Sequence, residues 1–292
     1  MVMIMDGSIG RELSERGIDV KGRYWAANAL INNTQELYAL YTDYLDAGAN
    51  LLTANTYGLR PEYFKDDIEK KKLVFLYRTA YDIIQKAIIS SKRKNIEITL
   101  AFPPLRNTYN AKLILNKKED IKSEYRILFD GAMHCQYDLI LVETLSAVRE
   151  AEAVLELADE YKKKVWVSFT LKSGTKLNSG ETLEMMLSRL SQYKLEALLF
   201  NCCLPQYISN SLSILQKADI PFRYGGYANR FNAIKENYSF KIDGPNKLRA
   251  LSPDEYLKYV QCWIEKGASI VGGCCGIGPE YIKKISDWVI ER

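Results

Sequence analysis

The residues best suited to chemistry in this sequence are two pairs of adjacent cysteines. Cys274 and Cys275 stand between glycines at the end of the apolar run "SIVGG", and Cys202 and Cys203 end the run "ALLFN". The chain holds a single histidine, His134, so the commonest general base and metal ligand is almost absent. Thiols are therefore the groups from which we expect the chemistry to come.

A metal site is the chemistry that the two pairs favour. Neighbouring side chains on a regular strand point to opposite faces, so Cys274 and Cys275 need a bent backbone to reach one ion. The flanking glycines would permit that bend, because glycine adopts dihedral angles that other residues avoid. One thiol from Cys202 or Cys203 would complete three sulfur ligands, which with an open fourth position is the pattern of catalytic zinc. A redox-sensing pair and simple packing are the alternatives.

The elements that must position these thiols are short apolar runs separated by helical stretches. Near-continuous apolar runs of this kind are typical of parallel strands buried on both faces. Eight such runs in 292 residues predict an α/β fold, a single-domain TIM-type (β/α)8 barrel over residues 1–292, with an open doubly wound sheet as the alternative. The runs are 2–7, 50–58, 96–104, 138–145, 164–171, 197–203, 221–229 and 268–276.

Polar side chains gather at the ends of these runs. In a barrel of this type the active site lies at the C-terminal ends of the strands, so we expect these side chains to share one rim. The rim residues are Asp6, Asn55, Thr56, Tyr57, Glu143, Thr144, Ser168, Thr170, Asn201, Cys202 or Cys203, Tyr227, Asn229, Cys274 and Cys275. Cys135 and Cys262 fall in helical segments away from the rim and are predicted to lie in the core.

Composition argues against several other classes of protein. The net charge is +4, but the lysines are scattered and often lie beside acidic residues, so no nucleic-acid surface is predicted. The N-terminal residues "MVMIMDGSIG" lack a basic segment and a long apolar stretch, which predicts neither a signal peptide nor a membrane span. Six cysteines are too few for a disulfide scaffold. We therefore expect a cytoplasmic protein with reduced thiols.

The chain resembles the homocysteine S-methyltransferase family, whose members are zinc- and thiol-dependent barrels. The likeness runs nearly from end to end, through "MDGSIGRELSERG", "DYLDAGANLLTANTYG", "LVETLSAVREAEAV", "FNCC" and "GGCCGIGPEYI". The resemblance implies that Zn²⁺ is held by Cys202, which directly follows the asparagine, and by Cys274 and Cys275. Cys203 is then a small buried residue.

The resemblance also implies a substrate site. Asp6 and Glu143 would hold the amino group of homocysteine, and Thr56 is placed with the substrate-binding residues. Asn229 matches a position near the metal and could offer an oxygen when substrate is absent, and Tyr57 could approach the zinc similarly. One departure concerns the loop "AFPPLRNTY" (101–109), which replaces the Gly-Pro-Tyr-Gly type of turn seen in many relatives, on the side that faces the methyl donor.

The implied reaction is methyl transfer from a sulfonium donor, S-methylmethionine or S-adenosylmethionine, to the thiolate of L-homocysteine, giving methionine. Binding to zinc deprotonates a thiol, so no histidine base is needed. The length leaves no room for folate- and cobalamin-binding domains beside a barrel, so we expect a stand-alone enzyme with small-molecule partners. Betaine is the next donor, and a corrinoid-protein-dependent subunit or a non-catalytic zinc- or thiol-binding barrel are the alternatives.

Overall fold

The computed structural model describes residues 2–106, 108–234 and 247–292, so the predicted domain 1–292 includes positions 1, 107 and 235–246 outside the described residues. Eight strands form one parallel sheet in the order β1-β10-β9-β8-β5-β4-β3-β2. These strands are β1 Met3–Ile4, β2 Leu51–Thr53, β3 Glu97–Phe102, β4 Leu139–Leu145, β5 Val165–Phe169, β8 Ala197–Asn201, β9 Arg223–Tyr227 and β10 Ile270–Val271. A separate antiparallel hairpin joins β6 Leu171–Ser173 to β7 Lys176–Leu177.

The sheet closes on itself between β1 and β2. Met5 forms a parallel bridge with Leu51, just beyond the last residue of β1. The Asp6 backbone N–H donates to the carbonyl of Leu51 at 3.0 Å, and that of Asn50 donates to the carbonyl of Ile4 at 2.8 Å. This closure confirms the TIM-type barrel and excludes the open doubly wound sheet.

Helices surround the barrel and connect its strands. The helix Pro253–Glu265 illustrates how they begin, because the Ser252 hydroxyl accepts from the Glu255 N–H while the Glu255 carboxylate accepts from the Ser252 N–H. The α-helices within the described residues are Ile9–Glu15, Ala29–Asn32, Thr34–Asp46, Asp67–Ser91, Lys118–Ala132, Val148–Tyr161, Leu183–Leu190, Pro205–Leu215, Pro253–Glu265 and Pro279–Glu291. In the part of the chain that the structure describes, none of them combines the length and apolar character needed to cross a membrane.

Two cores lie on the two faces of the sheet, because successive strand residues point to opposite sides. The larger core fills the layer between strands and helices and includes Cys203. The smaller core fills the barrel interior, and Cys274 packs against it. The interior residues are Met5, Leu51, Leu139, Leu141, Trp166, Ala197, Leu199, Tyr227 and Ile270.

Two groups of expectations need correction. The predicted strands 50–58 and 268–276 are too long, since only Leu51–Thr53 and Ile270–Val271 pair in the sheet and the polar and glycine residues beyond them form rim turns. Cys135 is half-buried in the turn after the helix Lys118–Ala132, and Cys262 is half-buried on its helix. Neither thiol is enclosed in the core, because each lies where a helical layer meets solvent.

Candidate active site

Three cysteine sulfurs converge at the C-terminal rim of the barrel. The Sγ atoms of Cys202, Cys274 and Cys275 all lie within 4.8 Å of one another, and no other set of three or more metal-ligating side chains comes together in residues 2–106, 108–234 and 247–292. The sulfurs of Cys202 and Cys275 are 3.8 Å apart. Cys202 follows β8 and the adjacent pair follows β10, two strands away in the sheet.

The turn after β10 needs glycine mainly because neighbouring atoms leave no room for a Cβ. A Cβ on Gly272 would lie 2.6 Å from the Cβ of Met5, and one on Gly273 would lie 2.3 Å from Cγ2 of Ile277. Only Gly276 has a positive φ, at 77°. The predicted bend is therefore present, but two of its glycines are needed for close approach rather than for unusual dihedral angles.

Cys202 has a left-handed backbone, with φ of 51°. This conformation is unfavourable for a residue with a side chain, so its neighbours must hold it. The Cys202 carbonyl accepts from the Tyr109 hydroxyl at 3.1 Å and from the Thr170 hydroxyl at 3.3 Å. The Tyr109 hydroxyl also lies 3.3 Å from the Cys202 sulfur, and Nδ2 of Asn229 lies 3.7 Å from it.

The three thiols cannot all be ionised without a cation. Hydrogen bonds from Cys274 and Cys275 lower the pKa of Cys202 well below the ordinary thiol value. In return, the hydrogen bond and negative charge of Cys202 raise the pKa values of the other two thiols. Protein atoms alone therefore stabilise one thiolate, and a bound dication would be needed to deprotonate all three.

The carboxyl groups of Asp6, which is buried, and Glu143, which is partly buried, belong to the same rim as the sulfurs. Burial raises the pKa of Glu143 to about 8 and that of Asp6 to about 7. Repulsion by Cys202 and Asp6 adds to the effect on Glu143, so the groups share one electrostatic environment. The Asp6 carboxylate accepts from the Thr53 N–H at 2.7 Å, which lowers its pKa but does not offset burial. Among the residues that the structure describes, no lysine or arginine forms an ion pair with either carboxyl group.

Asn201 connects the carboxyl group to the thiol turn. Its Oδ1 accepts from the Ser168 hydroxyl at 2.8 Å and the Thr144 N–H at 3.1 Å. Its Nδ2 donates to the Thr144 hydroxyl at 3.0 Å and to Oε2 of Glu143 at 3.3 Å. All the hydrogen-bonding capacity of this amide is used across β4, β5 and β8, directly before Cys202 in the chain.

A family model described as "Homocysteine S-methyltransferase" matches residues 3–289. The chain belongs to the homocysteine S-methyltransferase family. It is 26% identical to "Homocysteine S-methyltransferase 3" of Zea mays, over 97% of this chain and 88% of the relative. It is also 26% identical to "Selenocysteine methyltransferase" of Astragalus bisulcatus, over 97% of this chain and 90% of the relative. The protein is therefore a methyltransferase.

A solved structure has the same fold as this chain. The metallated form of the Escherichia coli homocysteine methyltransferase MmuM superposes with a TM-score of 0.82, at 21% identity, over 98% of this chain and 96% of that one. The likeness covers the whole barrel and supports the TIM-type fold.

Two further predicted site residues of this methyltransferase, Thr56 and Asn229, lie on the rim and form hydrogen bonds within the protein. Thr56 is fully buried, and its hydroxyl donates to the carbonyl of Ala101 at 2.8 Å. Asn229 directs its Nδ2 at the Cys202 sulfur, while its Oδ1 accepts from the Phe231 N–H at 3.2 Å. In this arrangement the nitrogen rather than the expected oxygen faces the thiols. Their roles toward substrate remain predictions.

Three tyrosines complete the surroundings of the site. Tyr57 hydrogen-bonds Thr108 at 2.9 Å, and burial raises the pKa of its phenol. Tyr227 donates to Glu143 at 3.1 Å. Tyr109 was missed by the sequence argument, because nothing local distinguishes it among twenty tyrosines. The only signal for it was its place in the departing loop 101–109.

Proposed function

We propose that the chain transfers a methyl group from a sulfonium donor, S-methylmethionine or S-adenosylmethionine, to the thiolate of L-homocysteine, giving methionine. The observation that carries this proposal is the position of three convergent sulfurs near the carboxyl groups of Asp6 and Glu143, neither of which is ion-paired with a lysine or arginine within the described part of the chain. An amino acid with a thiol and an ammonium group complements both halves of this site. Family membership supports homocysteine as the methyl acceptor.

Zn²⁺ is the metal that fits the donor set. Three thiolates are soft ligands that favour zinc over magnesium or calcium, and three protein ligands leave one position open. Cys202, Cys274 and Cys275 would hold the ion, whose charge would compensate the thiolates that the protein alone cannot stabilise. When bound, the metal supplies a lowered pKa for the substrate thiol and keeps the resulting sulfur nucleophilic.

The carboxyl groups of the chain would recognise the substrate ammonium. Burial raises the pKa of each carboxyl group, so a cation bound beside it would stabilise the ionised form and lower that pKa. Tyr227 and Asn201 both donate to Oε2 of Glu143 and fix its direction. Asp6 is held by the Thr53 N–H on the neighbouring strand. An ammonium bound between Glu143 and Asp6 would orient the substrate sulfur toward the cysteines.

The reaction balances without a protein base. The substrate thiol loses its proton to solvent, and its sulfur forms a bond to the methyl carbon as the bond between that carbon and the sulfonium sulfur breaks. The donor leaves as a neutral thioether. The anionic site attracts the positive donor and leaves its neutral product free to depart.

A donor panel tests this function. The purified, zinc-loaded chain is incubated with L-homocysteine and, separately, with S-methylmethionine, S-adenosylmethionine or betaine, and methionine is measured. We expect methionine with at least one sulfonium donor and no added protein. If methionine forms only with betaine, the donor is not a sulfonium compound. If methionine forms only after a corrinoid protein is added, the chain is a subunit that depends on that protein. If no methionine forms with any donor despite full zinc occupancy, the chain is a barrel that binds zinc or thiols without catalysing methyl transfer.

We further infer a cytoplasmic setting and small-molecule partners. The site requires reduced thiols, and the cytoplasm maintains them. A fractionation experiment that follows the native protein would test the location. Recovery in an oxidising compartment would contradict it.

A further inference from the structure

The hydroxyl of Tyr109 contacts both the carbonyl and the sulfur of one candidate ligand. It lies 3.1 Å from the Cys202 oxygen and 3.3 Å from the Cys202 sulfur. A phenol has a single hydroxyl hydrogen, which these two acceptors can share. Tyr109 therefore touches the one cysteine of the site whose backbone is left-handed.

Tyr109 reaches this position from a distant strand. It follows β3, and β3 and β8 are separated in the sheet by β4 and β5. The loop thus crosses two strands along the rim to bring the phenol to Cys202. Unless the loop is held by other contacts, the position of the Tyr109 hydroxyl relative to Cys202 would not be fixed.

The described residues of the loop, 103–106 and 108–109, are anchored near its start by groups from several elements. The Tyr125 hydroxyl donates to the carbonyl of Pro103 at 3.1 Å. The Leu105 carbonyl accepts from Arg60 at 2.9 Å, and its N–H donates to the buried carboxylate of Glu150 at 3.3 Å.

The second half of the loop is anchored equally well. Arg106 forms two hydrogen bonds with Glu124, at 2.8 and 2.6 Å. Thr108 meets the Tyr57 hydroxyl at 2.9 Å through its side chain and the Ser146 hydroxyl through its carbonyl. Residues that follow β2 and β4 therefore hold Thr108, which directly precedes Tyr109.

We propose that Tyr109 is a positioning residue that holds Cys202 in the geometry of a metal ligand. This inference rests on the proposed function, since it concerns the zinc that Cys202 would bind. The contact with the carbonyl stabilises the left-handed backbone that turns the sulfur toward Cys275. The contact with the sulfur is a charge-assisted hydrogen bond that draws electron density from the thiolate.

The test compares zinc affinity in the full-length chain and in two matched variants. Tyr109→Phe removes only the hydroxyl, and Tyr207→Phe makes the same change at another tyrosine lining the cleft beside Cys202. Competition with a chelator should give a zinc affinity about 10- to 100-fold lower for Tyr109→Phe, as is usual when a partner of a metal ligand is lost. Tyr207→Phe should equal the unmodified chain.

Cobalt substitution supplies a second readout that a general loss of stability would not move. Loss of the hydrogen bond to sulfur should shift the sulfur-to-cobalt charge-transfer band of Tyr109→Phe to longer wavelength. If Tyr109→Phe does not fold, replacement of Tyr109 by 3-fluorotyrosine, which keeps the ring and makes its hydroxyl a stronger donor, should shift the cobalt band to shorter wavelength instead. An affinity and a cobalt band equal to those of the unmodified chain, in whichever of these two changes folds, overturn the inference.

The inference and the proposed function fail in different ways. A chain that binds zinc but makes no methionine would overturn the proposed reaction and leave the affinity comparison valid. Failure of the unmodified chain to bind zinc would overturn both. Normal zinc binding and activity, with no effect of Tyr109→Phe on affinity or spectrum, would overturn the role of Tyr109 alone.

Discussion

The hydroxyl of Tyr227 donates a 3.1 Å hydrogen bond to Oε2 of Glu143, the same oxygen that accepts from the amide of Asn201. These donors favour the charged carboxylate, whereas burial favours the neutral acid and raises the pKa to about 8. The balance of the two effects places the ionisation of Glu143 close to neutral pH, where a small change in its surroundings alters its charge.

Tyr227→Phe should raise the pKa of Glu143 further. The variant removes a donor that lowers this pKa and leaves the ring in the barrel interior. We expect the acidic limb of kcat/KM against pH to move upward by about one to two units, because a hydrogen bond to a charged group contributes roughly 1.5–3 kcal/mol. A pH profile of methionine formation checks this, and an unmoved limb would contradict the contact.

Glu143→Gln should weaken homocysteine binding and leave the metal in place. The amide cannot supply the negative charge that an ammonium group needs, so KM for homocysteine should rise roughly 10- to 100-fold. Glu97→Gln, at the first residue of β3 and so at the opposite end of the barrel, is the matched control. Steady-state kinetics with metal analysis measure both effects, and an unchanged KM would remove Glu143 from the substrate site.

The metal-free protein should lose stability as pH rises. Asp6, Glu143 and Glu150 have folded-state pKa values of about 7, 8 and 7, above the ordinary values of 3.8 for Asp and 4.5 for Glu. The folded state therefore binds more protons than the unfolded state between those limits. The contribution of these three groups to the free energy of unfolding should be largest below about pH 4 and be lost as pH rises through 7 and 8, by roughly a few kcal/mol.

Urea denaturation at several pH values between 4 and 9 measures this slope. Glu143→Gln should flatten it, because the variant removes the group with the largest of the three pKa values. Stability that increases from pH 5 to 8 would be inconsistent with buried, proton-binding carboxyl groups.

The cysteines should separate into two classes by metal content. Serine at Cys202, Cys274 or Cys275 should abolish both bound zinc and activity, since each contributes one of three converging sulfurs. Cys203→Ser should keep zinc, because this residue belongs to the core between strands and helices. It should cost about 1–3 kcal/mol of stability for burying a hydroxyl. Metal loss in Cys203→Ser with retention in Cys202→Ser would reverse the assignment.

Much of the barrel could be predicted from sequence, because burial on both faces of a parallel sheet leaves continuous apolar runs. The convergence of Cys202, Cys274 and Cys275 followed from placing the ends of two runs, 197–203 and 268–276, on one rim. The choice of Cys202 over Cys203 needed the family resemblance. In the structure it follows from a break in the alternation of side chains. Ala197 and Leu199 face the barrel interior, so regular alternation would direct Cys203 inward as well. The left-handed backbone of Cys202 interrupts the strand, and Cys203 lies in the outer core instead.

What could not be predicted depends on contacts between distant segments. Gly272 and Gly273 are required by Met5 and Ile277, whose positions are set only after the barrel closes. Tyr109 reaches Cys202 by a loop path across two strands, which no periodicity in the sequence encodes. The left-handed backbone of Cys202 likewise has no local signal, since cysteine has no intrinsic preference for it.

The sulfur cluster is assembled late in the chain. Its first ligand, Cys202, and its last, Cys275, are 73 positions apart, and β10 must pair with both β9 and β1 before the final two sulfurs arrive. During synthesis, a ribosome-bound chain that ends before Cys274 offers one thiol of the three and has little means to compete for scarce metal. Binding of the ion at all three sulfurs would thus require that β10 has docked between β9 and β1.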